Sequence, residues 1–117
     1  MTEIKEIFPA ELKAWSDAGK DFLLLDVRTE NEMRQGMLPG GVPQSMRSLP
    51  ADLHRFDRHS VIVVYCRSGI RSAQVCGFMA NNGFTNTYNL RGGILQWAGE
   101  GLPVVQYGQQ GQKAGIK

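Results

Sequence analysis

Five consecutive apolar residues, Val61-Ile62-Val63-Val64-Tyr65, run directly into Cys66-Arg67-Ser68-Gly69-Ile70-Arg71, and this junction constrains the fold more than any other feature of the chain. A strand apolar at successive positions has no side to turn to water, so it belongs in a parallel sheet covered on both faces by helices. It is expected to be the central strand. The cysteine at its end opens a turn. Ser72 to about Asn82 then reads as a helix with Val75, Phe78 and Met79 inward and Gly83 as its stop.

The rest of the chain continues the alternation. Ile4 to Ile7 reads as a short strand, and Pro9 suits the first turn of a helix because its missing N–H is not needed there. Leu12 and Trp15 share the inner face of that helix. Phe22-Leu23-Leu24-Leu25 is a second buried strand, ending at Asp26-Val27-Arg28. Thr29 and Glu32 have capping-box spacing and predict a short helix over Glu30 to Arg34, stopped by Gly36. Leu38 to Pro43 is too rich in glycine and proline for a regular element, so a constrained loop with a few extended residues is expected. Leu49 to Phe56 reads as a short helix, Thr85 to Leu90 as a strand, and Ile94 to Gly99 as a helix carrying Trp97. The expected class is therefore α/β, with a mainly parallel central sheet flanked by helices. A chain of 117 residues suffices for one domain with one core, assigned to residues 1–105. Residues 106–117 are nearly devoid of apolar side chains and are expected to form a flexible tail.

Thirteen basic residues are scattered among eleven acidic ones, for a net charge of +2, which gives no footprint for nucleic acid. No apolar run is long enough to span a membrane. Two cysteines are too few for a disulfide framework, and no apolar leader precedes the first charged residues, so a reducing cytoplasm is the expected compartment. His54 and His59 lack the spacing of metal ligands and are expected at the surface, with Trp15 and Trp97 as packing anchors. No metal or cofactor is called for.

Cys66 occupies the carboxyl end of the central strand, where open α/β sheets place their ligand sites. Backbone N–H groups of a tight loop entering a helix converge on one point, and with Arg71 they favour a thiolate over a thiol. Gly69 fits because a loop curled about a single sulfur needs a residue free to take positive φ. Arg67, Arg71 and Arg91 lie near two glycine-bearing turns, with no acidic residue between Asp57 and Glu100, a local balance that suits a small anion. Cys76, flanked by Val75, Phe78 and Met79, is expected to be a packed, inert thiol. Asp26 and Arg28 read as a structural pair that orients loops, with Arg28 bordering the site.

Cys66-Arg67-Ser68-Gly69-Ile70-Arg71-Ser72 closely resembles the active-site loop of the rhodanese family. Leu23-Leu24-Leu25-Asp26-Val27-Arg28 with Glu32 resembles that family's strand and Asp-x-Arg signature. Gly36 through Gly41 is similar to its Gly-His-Ile-Pro-Gly-Ala segment, with Met37 in place of histidine and Gly41 in place of alanine. Leu90-Arg91-Gly92-Gly93, Trp97 and Gly101-Leu102-Pro103-Val104 resemble its closing motif, with Gln96 replacing a common alanine. The motifs stand in the family's order over about residues 4 to 105.

The resemblance implies a three-layer rhodanese-like sandwich and a two-step transfer without a cofactor. The Cys66 thiolate takes the outer sulfur of a small anionic donor such as thiosulfate, and the resulting persulfide passes it to a thiol or another nucleophile, a protein acceptor included. Loop residues Arg67, Ser68, Gly69, Ile70 and Ser72 would hold the bound sulfur, Arg71 and Arg67 would attract the donor, and Asp26, Arg28 and Arg91 would support the site. The rim around Met37, Arg67 and Arg91 is where specificity is expected to rest. Protein tyrosine phosphatases share the cysteine-to-arginine arrangement but use a longer loop, whereas the four residues Arg67 to Ile70 make a smaller cup, fitted to one sulfur. The alternatives are a sulfur-relay protein, or an interaction module with little turnover on thiosulfate.

Overall fold

The computed structural model describes residues 4–111. Strands β1 (Lys5–Ile7), β2 (Leu23–Asp26), β3 (Val42–Pro43), β4 (Ile62–Tyr65) and β5 (Thr87–Leu90) form one sheet in the spatial order β1-β5-β4-β2-β3, with every pairing parallel. The helices are α1 (Pro9–Asp17), α2 (Glu30–Met33), α3 (Leu49–Asp52), α4 (Ile70–Asn81) and α5 (Gly93–Gly99), and a 3-10 turn over Leu53–Arg55 continues α3.

Strand β4 occupies the middle of the sheet, and all four of its residues are buried. Its side chains alternate between two cores. Ile62 and Val64 pack with Leu49, Leu53, Val75 and Met79 of α3, the 3-10 turn and α4, while Val63 and Tyr65 pack with Leu12, Ile94 and Trp97 of α1 and α5. A sheet with a core on each face and helices outside both is the expected α/β three-layer sandwich. Strand β3 is only two residues long and ends in Pro43, tolerated because it lies at the sheet's edge. Among the described residues no helix is long and apolar enough to cross a membrane.

Two expectations for the helix after Cys66 need correction. It begins at Ile70 rather than Ser72, because Gly69 takes φ +98° as its N-cap and starts the first turn two residues early. Its inner face is Val75, Cys76 and Met79, whereas Phe78 is 36% exposed and lies on the outer side. Met37 is fully buried rather than at a rim, and it exchanges backbone hydrogen bonds of 2.8 Å in both directions with Val105. A Cβ on Gly41 would lie 2.8 Å from the Tyr65 hydroxyl, which instead accepts a hydrogen bond from the Leu38 N–H at 3.1 Å. Both departures from the family pattern are thus filled by packing. Farther along, the Gly40 N–H donates to the Gln110 carbonyl at 2.7 Å. The end of the expected tail, residues 112–117, lies outside the described residues.

Candidate active site

Cys66 leaves the carboxyl end of β4, and the loop it begins is held from behind by α5. The Ile94 N–H donates to the Cys66 carbonyl at 3.0 Å and the Leu95 N–H to the Arg67 carbonyl at 3.1 Å. This approach requires Gly93, at φ +60°, since a Cβ there would lie 2.4 Å from the Arg67 carbonyl oxygen.

The sulfur sits at the bottom of a closed cup. Cys66 is 1% exposed, and its Sγ receives the Gly69 N–H at 3.1 Å, the Ser72 N–H at 3.4 Å and the Ser72 hydroxyl at 3.4 Å. Burial alone would push its pKa up. The Ser72 hydroxyl and the N–H groups of Ser72, Gly69 and Ser68 outweigh burial and hold it below the ordinary thiol value. Among the described residues none donates to Cys76 in this way, and burial pushes its thiol up to about 12. The two cysteines should separate in native alkylation: iodoacetamide is expected to label Cys66 with a midpoint below that of an ordinary free thiol and to leave Cys76 unmodified until the chain is unfolded. Peptide mapping across pH checks this.

Arg71 lies on the first turn of α4, where its guanidinium feels the Cys66 charge, but its fork is occupied. Nη1 donates to Glu32 Oε1 at 2.8 Å and Nη2 to Glu32 Oε2 at 2.7 Å. Glu32 is in turn fixed by its own helix cap, Oε1 accepting from the Thr29 N–H at 3.1 Å and the Thr29 hydroxyl at 3.2 Å. Arg71 first, and Thr29 after it, draw the Glu32 pKa from 4.5 down to about 2 against the opposing effect of burial. A depressed carboxylate pKa stabilises the fold above the unfolded value and loses that contribution as the pH falls through the folded one. Glu32→Gln is therefore expected to remove part of the stability lost between pH 4.5 and about 2, measured by urea unfolding at stepped pH.

Sequence reading treated Glu32 as a cap and a family marker and missed its pairing with Arg71. Asn89 was missed as well. Its Oδ1 lies 2.5 Å from the Ser72 hydroxyl and competes with Cys66 Sγ for that group's single proton, while its Nδ2 donates to the Gly69 carbonyl at 3.2 Å and to Glu6 Oε2 at 3.1 Å. One buried amide therefore ties together the two loop residues whose donors reach the sulfur. The available signal was an amide at the carboxyl end of a strand, beside the apolar Leu90.

Asp26 and Arg28 form a buried pair, Nε to Oδ1 at 2.9 Å and Nη2 to Oδ2 at 2.7 Å, with side chains 0% and 4% exposed. Arg28 also donates to the Gly36 carbonyl at 2.7 Å and the Glu32 carbonyl at 3.2 Å, so it ties β2 to α2 and the following loop. Arg91 is directed elsewhere, against Glu6 at 3.5 Å and over the Phe8 ring. Arg67, Ser68 and Ile70 are exposed around the loop, and among the described residues no carboxylate pairs with Arg67.

The family model for the rhodanese-like domain matches residues 8–100. The chain belongs to the rhodanese family. Among its relatives, a sulfurtransferase of Allochromatium vinosum is 42% identical over 86 residues, covering 74% of this chain and 80% of the relative. The putative sulfurtransferase YtwF of Bacillus subtilis is 40% identical over 101 residues, covering 86% of this chain and 97% of the relative. Among solved structures, the rhodanese-like domain protein of Staphylococcus aureus superposes with a TM-score of 0.78 at 31% identity, covering 88% of this chain and all of that one. In this rhodanese domain the loop from Cys66 to Ser72 stands at the carboxyl end of the central strand, where open α/β sheets place their ligand sites.

Proposed function

We propose that this rhodanese domain is a sulfurtransferase that carries sulfane sulfur as a persulfide on Cys66. The observation that carries the reading is the cup itself: a buried sulfur met by the N–H groups of Gly69 and Ser72 and by the Ser72 hydroxyl. The names of its sulfurtransferase relatives support the same class of reaction.

In the first step the Cys66 thiolate attacks the outer sulfur of a small anionic donor such as thiosulfate or a persulfide. The new S–S bond forms as the donor's own S–S bond breaks, and its electron pair leaves with sulfite or the donor thiolate. The loop N–H groups then face a persulfide anion. In the second step an acceptor thiolate attacks the terminal sulfur, leaves as the new persulfide, and returns Cys66 as thiolate. Negative charge stays near the same donors throughout, so little reorganisation is needed between steps. Neither step calls for a metal or an organic cofactor, and a thiol with this duty fits a reducing compartment such as the cytoplasm.

Intact-mass spectrometry with and without a sulfur donor tests the reading. A gain of about 32 Da, mapped to Cys66 and reversed by a thiol, is expected of a persulfide carrier. Failure to load Cys66 from thiosulfate, from organic thiosulfonates and from a persulfide-bearing protein alike would overturn it.

A further inference from the structure

Behind the sulfur, polar contacts run through four elements of the fold. Glu6 of β1 accepts from Asn89 of β5, Asn89 meets the Ser72 hydroxyl on α4, and that hydroxyl lies 3.4 Å from Cys66 Sγ at the end of β4. The direction of the Asn89 amide is fixed by its own donors. Its Nδ2 points at two acceptors, Glu6 Oε2 at 3.1 Å and the Gly69 carbonyl at 3.2 Å, so Oδ1 is what remains for Ser72. An oxygen that can only accept therefore faces the Ser72 oxygen at 2.5 Å, a separation that needs a proton between them. The hydroxyl has one proton, and Cys66 Sγ is its other acceptor.

Which acceptor holds that proton depends on where the sulfur's charge lies. A thiolate draws a hydrogen bond more strongly than a neutral amide oxygen does, but donation to Sγ leaves the two oxygens facing each other with no proton between. Loading with sulfur removes the thiolate's pull. With thiosulfate as donor, Sγ bonds to the outer sulfur, the bond from that sulfur to the sulfonyl sulfur breaks, and its electron pair leaves with sulfite. The negative charge passes to the terminal sulfur, one bond beyond Sγ, and Sγ becomes a weak, uncharged acceptor. The hydroxyl can then turn to Asn89 without displacing a heavy atom. Ser72 and Asn89 are 0% and 2% exposed, which confines the exchange to these groups.

We propose that Asn89 is a positioning residue that favours the sulfur-loaded form of Cys66, by taking up the Ser72 hydroxyl once negative charge has moved off Sγ. The inference rests on Cys66 being the persulfide carrier. Glu6 assists, because its carboxylate polarises the amide whose Oδ1 accepts.

Asn89→Leu tests the assignment, since leucine is close to the amide in shape and lacks its acceptor, while the Gly69 carbonyl keeps the Ala73 N–H at 3.3 Å. Arg71 stays paired with Glu32 and Arg28 with Asp26, Glu6 keeps Arg91, and the exposed Arg67 is unchanged. Cys66 ionisation is followed by alkylation across pH. The loading constant is measured by intact mass at a fixed ratio of thiosulfate to sulfite, at a pH where Cys66 is fully ionised; if thiosulfate does not load wild type, glutathione persulfide and glutathione replace the pair. With Asn89 gone, the Ser72 hydroxyl should serve the thiolate alone. The variant is therefore expected to alkylate at lower pH than wild type, and its loading constant to fall by about fivefold or more, the difference between a hydrogen bond to a charge and one to a neutral acceptor. A loosened cup would do the reverse to the alkylation midpoint, because losing the Gly69 and Ser72 N–H donors raises it. In a Ser72→Ala background the Asn89 substitution should alter neither readout. An unchanged or raised midpoint, an unchanged loading constant, or the same effect in Ser72→Ala overturns the proposal. Should Asn89→Leu fail to fold, Glu6→Gln decides: it is expected to lower the loading constant by a smaller factor, its direct field acting alike on two forms of equal charge, and no change there overturns the proposal. If wild type loads from no donor, the persulfide reading falls and this inference with it, whereas normal loading of wild type and variant alike removes only the role of Asn89.

Discussion

Cys66→Ser is expected to lower sulfur transfer by on the order of a thousandfold or more while the chain keeps its fold. Serine is close to cysteine in shape, so the contacts with Gly69 and Ser72 persist in outline, and β4, α4 and α5 need not move. What is lost is the nucleophile. A serine hydroxyl is not ionised near neutral pH, and an oxygen in this position cannot store sulfur as a persulfide. Cys76→Ser is the useful counterpart: it leaves the loop intact but puts a hydroxyl into a core lined by Val75 and Met79, at a cost of about 1–3 kcal/mol if unpaired. Transfer kinetics and urea unfolding on both variants should give opposite patterns. A Cys66→Ser protein that still transfers sulfur would end the assignment of this residue.

Asp26→Ala should produce the largest loss of stability of any single change to the site, about 3–5 kcal/mol, because it strands a buried guanidinium. Arg28 is 4% exposed, and Asp26 accepts three hydrogen bonds from its guanidinium as well as supplying its counter-charge. The remaining partners, the Gly36 and Glu32 carbonyls, carry only partial charge. A domain of this size has roughly 5–15 kcal/mol in all, so the variant is expected to approach the threshold of unfolding at ambient temperature. Removing both charges together, as Asp26→Leu with Arg28→Met, should cost much less than the single change, since no lone charge is left. The midpoint of urea unfolding, at unchanged slope, measures this. If Asp26→Ala keeps its stability and loses sulfur loading instead, the pair acts on the reaction rather than on the scaffold.

Local signals in the sequence were reliable wherever one segment carries its own physics. The apolar run before Cys66 required a strand with two covered faces, and β4 is that strand. Thr29 and Glu32 announced a cap, and both reciprocal hydrogen bonds are present. Asp26 and Arg28, two residues apart at a strand end, were read as a structural pair, and their burial agrees. The misses come from contacts between distant segments. Glu32 meets Arg71 across 39 positions, and Asn89 meets Ser72 across 17, so neither pairing leaves a pattern in its own neighbourhood. A count of acidic residues along the chain near Cys66 suggested a more open positive site than exists, because the neutralising carboxylate arrives from α2. Phe78 failed for a local reason: apolarity marked it as core, but the buried positions Ser72, Val75, Cys76 and Met79 follow one helical face, and Phe78 lies off it.

The sulfur's hydrogen-bond donors all come from one seven-residue stretch, 66–72, whereas the carboxylate that governs Arg71 belongs to another helix entirely. Two separate stretches of the chain therefore supply the donors to the Cys66 sulfur and the partner of Arg71. A change at position 32 would therefore reach Arg71 and the cap of α2 first, while the groups that touch the sulfur are supplied from elsewhere.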